Sequence, residues 1–76
     1  MTQTFTATIW RETDGFVSLC PELDIASQGN TVEEARANLK EALELFFECA
    51  SPAEIDQRLY REIYVTPLEV AIGEAA

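Results

Sequence analysis

The sequence predicts an α+β two-layer sandwich in the order βββαβ, with a mostly antiparallel sheet and one main amphipathic helix. Three observations predict it. Residues 4–12 alternate, with Phe5, Ala7, Ile9 and Arg11 on one side and Thr6, Thr8, Trp10 and Glu12 on the other. Period-two alternation rich in β-branched residues is the pattern of a strand. Val32, Ala35, Leu39, Ala42, Leu43 and Phe46 then recur at helical spacing behind a capping signal, Thr31-Val32-Glu33-Glu34, and that combination marks an amphipathic helix. Finally, apolar residues alternate again over 62–72, in Ile63 and Val65 and then Leu68, Val70 and Ile72.

The elements follow in order. Asp14-Gly15 is a strong hairpin signal, so 16–20 is expected as the return strand. A two-residue turn there would set Trp10 opposite Leu19 and Ile9 opposite Cys20. Both faces of this hairpin carry apolar side chains: Phe5, Ala7, Ile9 and Phe16 on one, Trp10, Val17 and Leu19 on the other. A single helix layer covers one of them, which leaves the second for another copy or a partner. Pro21 has no N–H to give a ladder and ends the strand. A short third strand is expected within 23–28, followed by the turn pair Gly29-Asn30, in which Gly29 would supply a backbone angle other residues resist. The helix is expected over 32–49, with Leu45 on its flank. Ser51-Pro52-Ala53-Glu54 starts a second, short helix reaching to about residue 59. The final strand, 62–72, contains Pro67, which implies a bulge, a sheet edge or a break; a short tail, 73–76, follows. A helical crossover would place this strand parallel to the first, with a right-handed connection.

Length allows one domain, spanning 1–76. A domain this small buries roughly 60% of its unfolded surface, so association with a second copy is the default expectation. The net charge is −9, from 14 acids against 5 bases. That balance repels phosphate backbones and argues against direct nucleic-acid binding. It attracts basic partners, or serves only to keep a small protein in solution. There is no histidine, and Cys20 and Cys49 are isolated, so no zinc spacing is present and no metal or other cofactor is expected. The first residues lack the basic and apolar regions of a secretory signal, and no apolar run is long enough to span a membrane. A cytoplasmic protein with reduced thiols is the simplest expectation.

The search for catalytic residues returns none. Without histidine the commonest general base is missing, and Cys20 has no base to activate it. Gly15, Gly29 and Gly73 are scattered and form no phosphate loop. The strand order resembles the opening half of the ribonuclease H fold, whose enzymes hold two metal ions with acids that include one inside the first strand. Here residues 5–10 read Phe-Thr-Ala-Thr-Ile-Trp, without a carboxylate. A non-enzymatic protein is expected.

Asp14-Gly15-Phe16-Val17, Cys20-Pro21-Glu22-Leu23, Ser27-Gln28-Gly29, Thr31-Val32-Glu33-Glu34-Ala35, Asn38-Leu39 and Glu41-Ala42 stand in this order and spacing. Together they resemble the signature of HicB-family antitoxins, over about residues 4–49, and 65–73 is similar to the last strand of short family members. Two features depart from the family pattern. Many relatives carry a Pro-Gly pair where this chain has Asp24-Ile25, and the 76 residues contain no helix-turn-helix or ribbon-helix-helix for operator binding.

The resemblance implies a partial ribonuclease H-like topology and a bacterial toxin–antitoxin role. The partner would be a small, basic HicA-like toxin that cleaves mRNA, neutralised when the antitoxin covers its RNA-binding face. The residues expected to meet it are the acids Glu12, Asp14, Glu22 and Asp24, with Trp10 as a buried anchor. A homodimer or tetramer is expected from the surplus hairpin face. The alternative is a stand-alone homo-oligomeric scaffold or regulatory domain without a toxin.

Overall fold

The computed structural model describes residues 2–59 and 61–73. Its element order is β1 (Thr8–Glu12), β2 (Gly15–Cys20), β3 (Ile25–Gly29), α1 (Val32–Cys49) and α2 (Pro52–Leu59). The three strands form one antiparallel sheet in the order β1-β2-β3, with α1 on one face. The α+β class and the βββα order hold.

The hairpin register differs from the expected one. Thr13-Asp14 is the turn, Glu12 faces Gly15, and Trp10 faces Val17 rather than Leu19, as Ile9 faces Ser18 rather than Cys20. The partner of each residue moves by two positions. A slip of one would exchange the faces of the sheet, whereas two preserves them, so Trp10, Val17 and Leu19 still share a face. Gly15 belongs to β2 because a Cβ there would lie 2.7 Å from the carbonyl oxygen of Gly29. The glycine is used by close strand approach and not by the turn.

Gly29 also plays a role other than the expected one. No described glycine has a positive φ. A Cβ at Gly29 would sit 2.5 Å from the backbone nitrogen of Ala35, so the residue lets the first turn of α1 press onto β3. Ser18 reinforces the same contact from the centre of the sheet: its hydroxyl, fully buried, donates to the Ala35 carbonyl at 2.8 Å. Among the described residues the left-handed position is instead Asp24, with φ 55°, in the turn between β2 and β3. Aspartate tolerates that region better than most residues.

α1 spans the expected residues. The Thr31 hydroxyl accepts from the Glu34 N–H at 3.0 Å, and the Glu34 carboxylate accepts from the Asn30 N–H at 2.8 Å. The reciprocal half of the cap thus falls one residue earlier than the standard box. α2 starts as expected, with the Ser51 hydroxyl accepting from the Glu54 N–H at 3.2 Å.

Cys20, Leu23 and Leu39 are the buried centre of the core, with Phe5, Ile25, Leu43, Phe46, Phe47 and Leu59 packed around them. Along the expected helix stripe Ala35 and Leu39 are buried, Ala42, Leu43 and Phe46 are half-buried, and Val32 is exposed. Phe47, outside that stripe, stacks on Phe5 with ring centroids 5.8 Å apart. Arg58 ties α2 to the β2–β3 turn and to α1, donating to the Leu23 carbonyl and lying over the Phe46 ring at 5.4 Å.

The expected fourth strand is not formed. Residues 61–73 carry no strand, and Val65, Leu68, Val70 and Ile72 are each more than two-thirds exposed. A strand needs a ladder partner, and this segment has none among the described residues. The radius of gyration is accordingly 15.7 Å, against roughly 11 Å for a compact domain of this length. Past Gly73, the expected tail lies outside the described residues.

Candidate protein-binding face

With α1 on one side, no described helix covers the opposite face of the sheet. It presents Thr8, Trp10 and Glu12 from β1, Val17 and Leu19 from β2, and Ala26 and Gln28 from β3, in register across the sheet. Trp10, Val17, Leu19 and Ala26 make a continuous apolar strip on it. Trp10 retains 40% of its exposure, and its indole N–H donates to the Glu12 carboxylate at 3.1 Å. That bond fixes the ring against the sheet while its outer surface stays open. Flat aromatic and aliphatic surface of this kind is the material of protein interfaces.

The tip of the hairpin adds charge. Glu12 and Asp14 border a cleft of about 660 Å³ between the turn and the start of α1, with Gln28, Asn30, Glu34 and Asn38 on its far side. Glu34 is committed to the helix cap and Asn38 donates to the Gln28 carbonyl at 2.8 Å. Glu12 and Asp14 are exposed. Arg11, the base nearest this tip in sequence, lies over the Phe16 ring, 4.5 Å from its centroid, on the helix-side face.

The five residues expected to form one site therefore divide. Trp10, Glu12 and Asp14 gather at the hairpin tip and the bare face. Glu22 and Asp24 stand at the other end of β2, roughly 17 Å away at about 3.3 Å per residue. The Glu22 carboxylate is engaged within the chain, whereas Asp24 is exposed. The Glu22 carboxylate accepts from the Thr6 N–H at 3.1 and 3.2 Å, from the Thr6 hydroxyl at 2.6 Å and from the Cys20 thiol at 3.4 Å. Its partial burial alone would raise the carboxyl, but the hydrogen bonds from Thr6 outweigh it and hold the group below its ordinary value. Glu22 straps the N-terminal segment to the β2–β3 turn. Burial above all pushes the Cys20 thiol up, and the neighbouring carboxylate adds to it. Asp24 serves the turn through its backbone conformation.

The sequence reading passed over Ser18, Leu23 and Phe47. Ser18 lies in mid-strand on the helix-facing side, and a polar residue at that phase was the available signal. Leu23, expected to open the third strand, falls instead in the turn before β3, which starts at Ile25. Among the described residues no group of three or more histidine, cysteine or acidic side chains is placed to hold a metal ion. No described helix is long and apolar enough to cross a membrane.

Fold and surface together define a small α+β domain with one covered and one bare sheet face. Comparison of the chain with family models, with curated proteins and with solved structures gave no match.

Proposed function

We propose that this chain is a protein-binding module of antitoxin type, which neutralises a small, basic, RNA-cleaving toxin of the HicA kind by covering its RNA-binding face. The observation that carries the reading is the bare face itself: an apolar strip from Trp10 to Ala26 beside the exposed acids Glu12 and Asp14. The ordered HicB-like residues between Asp14 and Ala42 support it, and so does the net charge of −9. A cationic RNA-binding surface is drawn to such a domain at long range, and the apolar strip then supplies contact area. The module is not an enzyme, needs no cofactor, acts in the bacterial cytoplasm as a homo-oligomer and does not bind nucleic acid itself. In this reading the βββα order is part of a ribonuclease H-like topology, and 62–72 adds a fourth strand once it has an edge to pair with.

Co-expression with a HicA-like toxin and a growth readout tests the proposal. The wild-type chain restores growth. Replacing Glu12 and Asp14 with lysine weakens rescue while the fold persists, since exposed substitutions typically change stability by under ~0.5 kcal/mol. Raising salt slows association more than it speeds dissociation, because exposed charges are screened beyond ~8 Å at physiological ionic strength. If growth stays arrested beside abundant folded protein, the reading fails and a homo-oligomeric scaffold without a toxin replaces it.

A further inference from the structure

The side of the sheet next to β1 holds a second feature, independent of the antitoxin reading. Between the N-terminal segment 2–7 and α1 runs an open groove of about 630 Å³, floored by Leu39, Leu43 and Phe47. β1 is an edge strand, so its outer N–H and C=O groups have no ladder partner. At the other edge, the Gln28 carbonyl of β3 is already taken by Asn38. The chain thus has an unfilled strand position over an apolar floor, and an unplaced segment, 62–72, whose pattern is that of a strand.

We infer that residues 62–72 of one copy dock beside β1 of a second copy and over its groove, so that two chains complete each other's sheets by exchanging arms. The side chains suit the position. Ile63 and Val65 share one phase, and Leu68, Val70 and Ile72 the other. A one-residue bulge at Pro67 shifts the phase, which sets all five on one face, toward the groove. Pro67 itself lacks the N–H that an interior strand would need, so it is compatible with the new outer edge. Charge agrees as well. Arg36 and Lys40, two of the five bases in the chain, line the groove with one acid, Glu44, which lies 3.8 Å from Lys40 and leaves Arg36 as the excess charge. The arm brings Glu62 and Glu69 and no base across 62–72.

The area is sufficient for a dimer. At about 80 Å² per buried aliphatic side chain, five side chains on each of two arms remove roughly 800 Å² from water. The receiving grooves lose a similar area, and a total near 1,600 Å² is the standard size of a stable interface. Exchange leaves the Trp10 face open, so self-association and binding of another protein do not compete.

The test uses two full-length variants. Val65→Lys with Val70→Lys spoils the arm, and Ala7→Arg fills the groove. All three positions are exposed in the single chain, so circular dichroism should show the fold retained. Light scattering and native mass spectrometry at micromolar concentration should give twice the 8.5 kDa chain mass for the wild type. Each variant alone should self-associate about 10²-fold less or weaker still, because two linked contacts are lost together. Mixed at high micromolar concentration, they should form a heterodimer, since one retains an arm and the other a groove. A monomeric wild type would overturn the inference and place the arm in its own groove. Dimers that persist in either variant would overturn it in favour of the Trp10 face. Variants that are monomeric alone and yet form no heterodimer would exclude exchange.

Discussion

Residues 8–59 and residues 61–73 are both rich in apolar side chains, yet they fare differently in the fold. In the first region Cys20, Leu23 and Leu39 are removed from solvent almost entirely. In the second, Leu68 and Ile72 keep 84% and 87% of their exposure. The difference lies in what stands opposite. β2 has a neighbour on each edge and α1 above it, whereas the arm, half-buried only at Ile63, has no strand beside it among the described residues. Apolar pattern marks a segment as able to be buried, and burial then depends on an available surface.

Four measurements would break or sharpen this contrast. The largest effect is expected at the centre of the body. Leu39→Ala should lower unfolding free energy by about 2–5 kcal/mol in denaturant titration, a large part of the stability of so small a domain. A loss below about 1 kcal/mol would mean that the body is no better packed than the arm. Next comes Gly29→Ala, whose Cβ must displace the backbone of α1 at Ala35 and Glu34. Overpacking of this kind removes roughly 1–3 kcal/mol, and a neutral result would show that α1 is free to lift from β3.

Glu22→Gln is expected to remove about 1 kcal/mol at neutral pH, a charged hydrogen-bond value discounted for partial exposure. The pH dependence has a definite sign. The folded carboxyl lies below its ordinary value of 4.5, so its contribution is fully present above that pH and is lost as pH falls through the lower, folded value. The stability gap between wild type and variant should therefore close in acid; a gap that widens there would refute the strap between Thr6 and Glu22. The smallest effect belongs to the arm. Measured at a dilution where the chain is monomeric, Ile72→Ala should shift the unfolding midpoint by less than ~0.5 kcal/mol equivalent. A loss comparable with that of Leu39→Ala would show the arm packed within its own chain.

Much of this was legible from residues alone, and the reasons are local. Thr31 with Glu34 and Ser51 with Glu54 are capping signals whose hydrogen bonds span three residues, and both helices begin where those signals stand. The alternation in β1 and β2 assigned Trp10, Val17 and Leu19 to one face, and that assignment survived a register error because the error was of two residues. The placement of the candidate residues was legible in part. Trp10, Glu12 and Asp14 follow from strand phase and turn position. Glu22 and Asp24 look alike in the sequence; only the fold binds the Glu22 carboxylate to Thr6, while Asp24 stays exposed on a left-handed backbone.

Charge, helix limits, the three-strand order and the existence of a surplus apolar face were determined by the sequence by itself, because each depends on composition or on neighbours a few residues away. Tertiary structure decided the rest. It turned Gly15 and Gly29 from turn residues into points of close approach between backbones. It buried Leu23 from within a turn and brought Phe5 onto Phe47 from opposite halves of the chain. It also left 61–73 without a strand partner among the described residues, since strand pairing is a contact between distant segments and no periodicity within one segment can supply the other side.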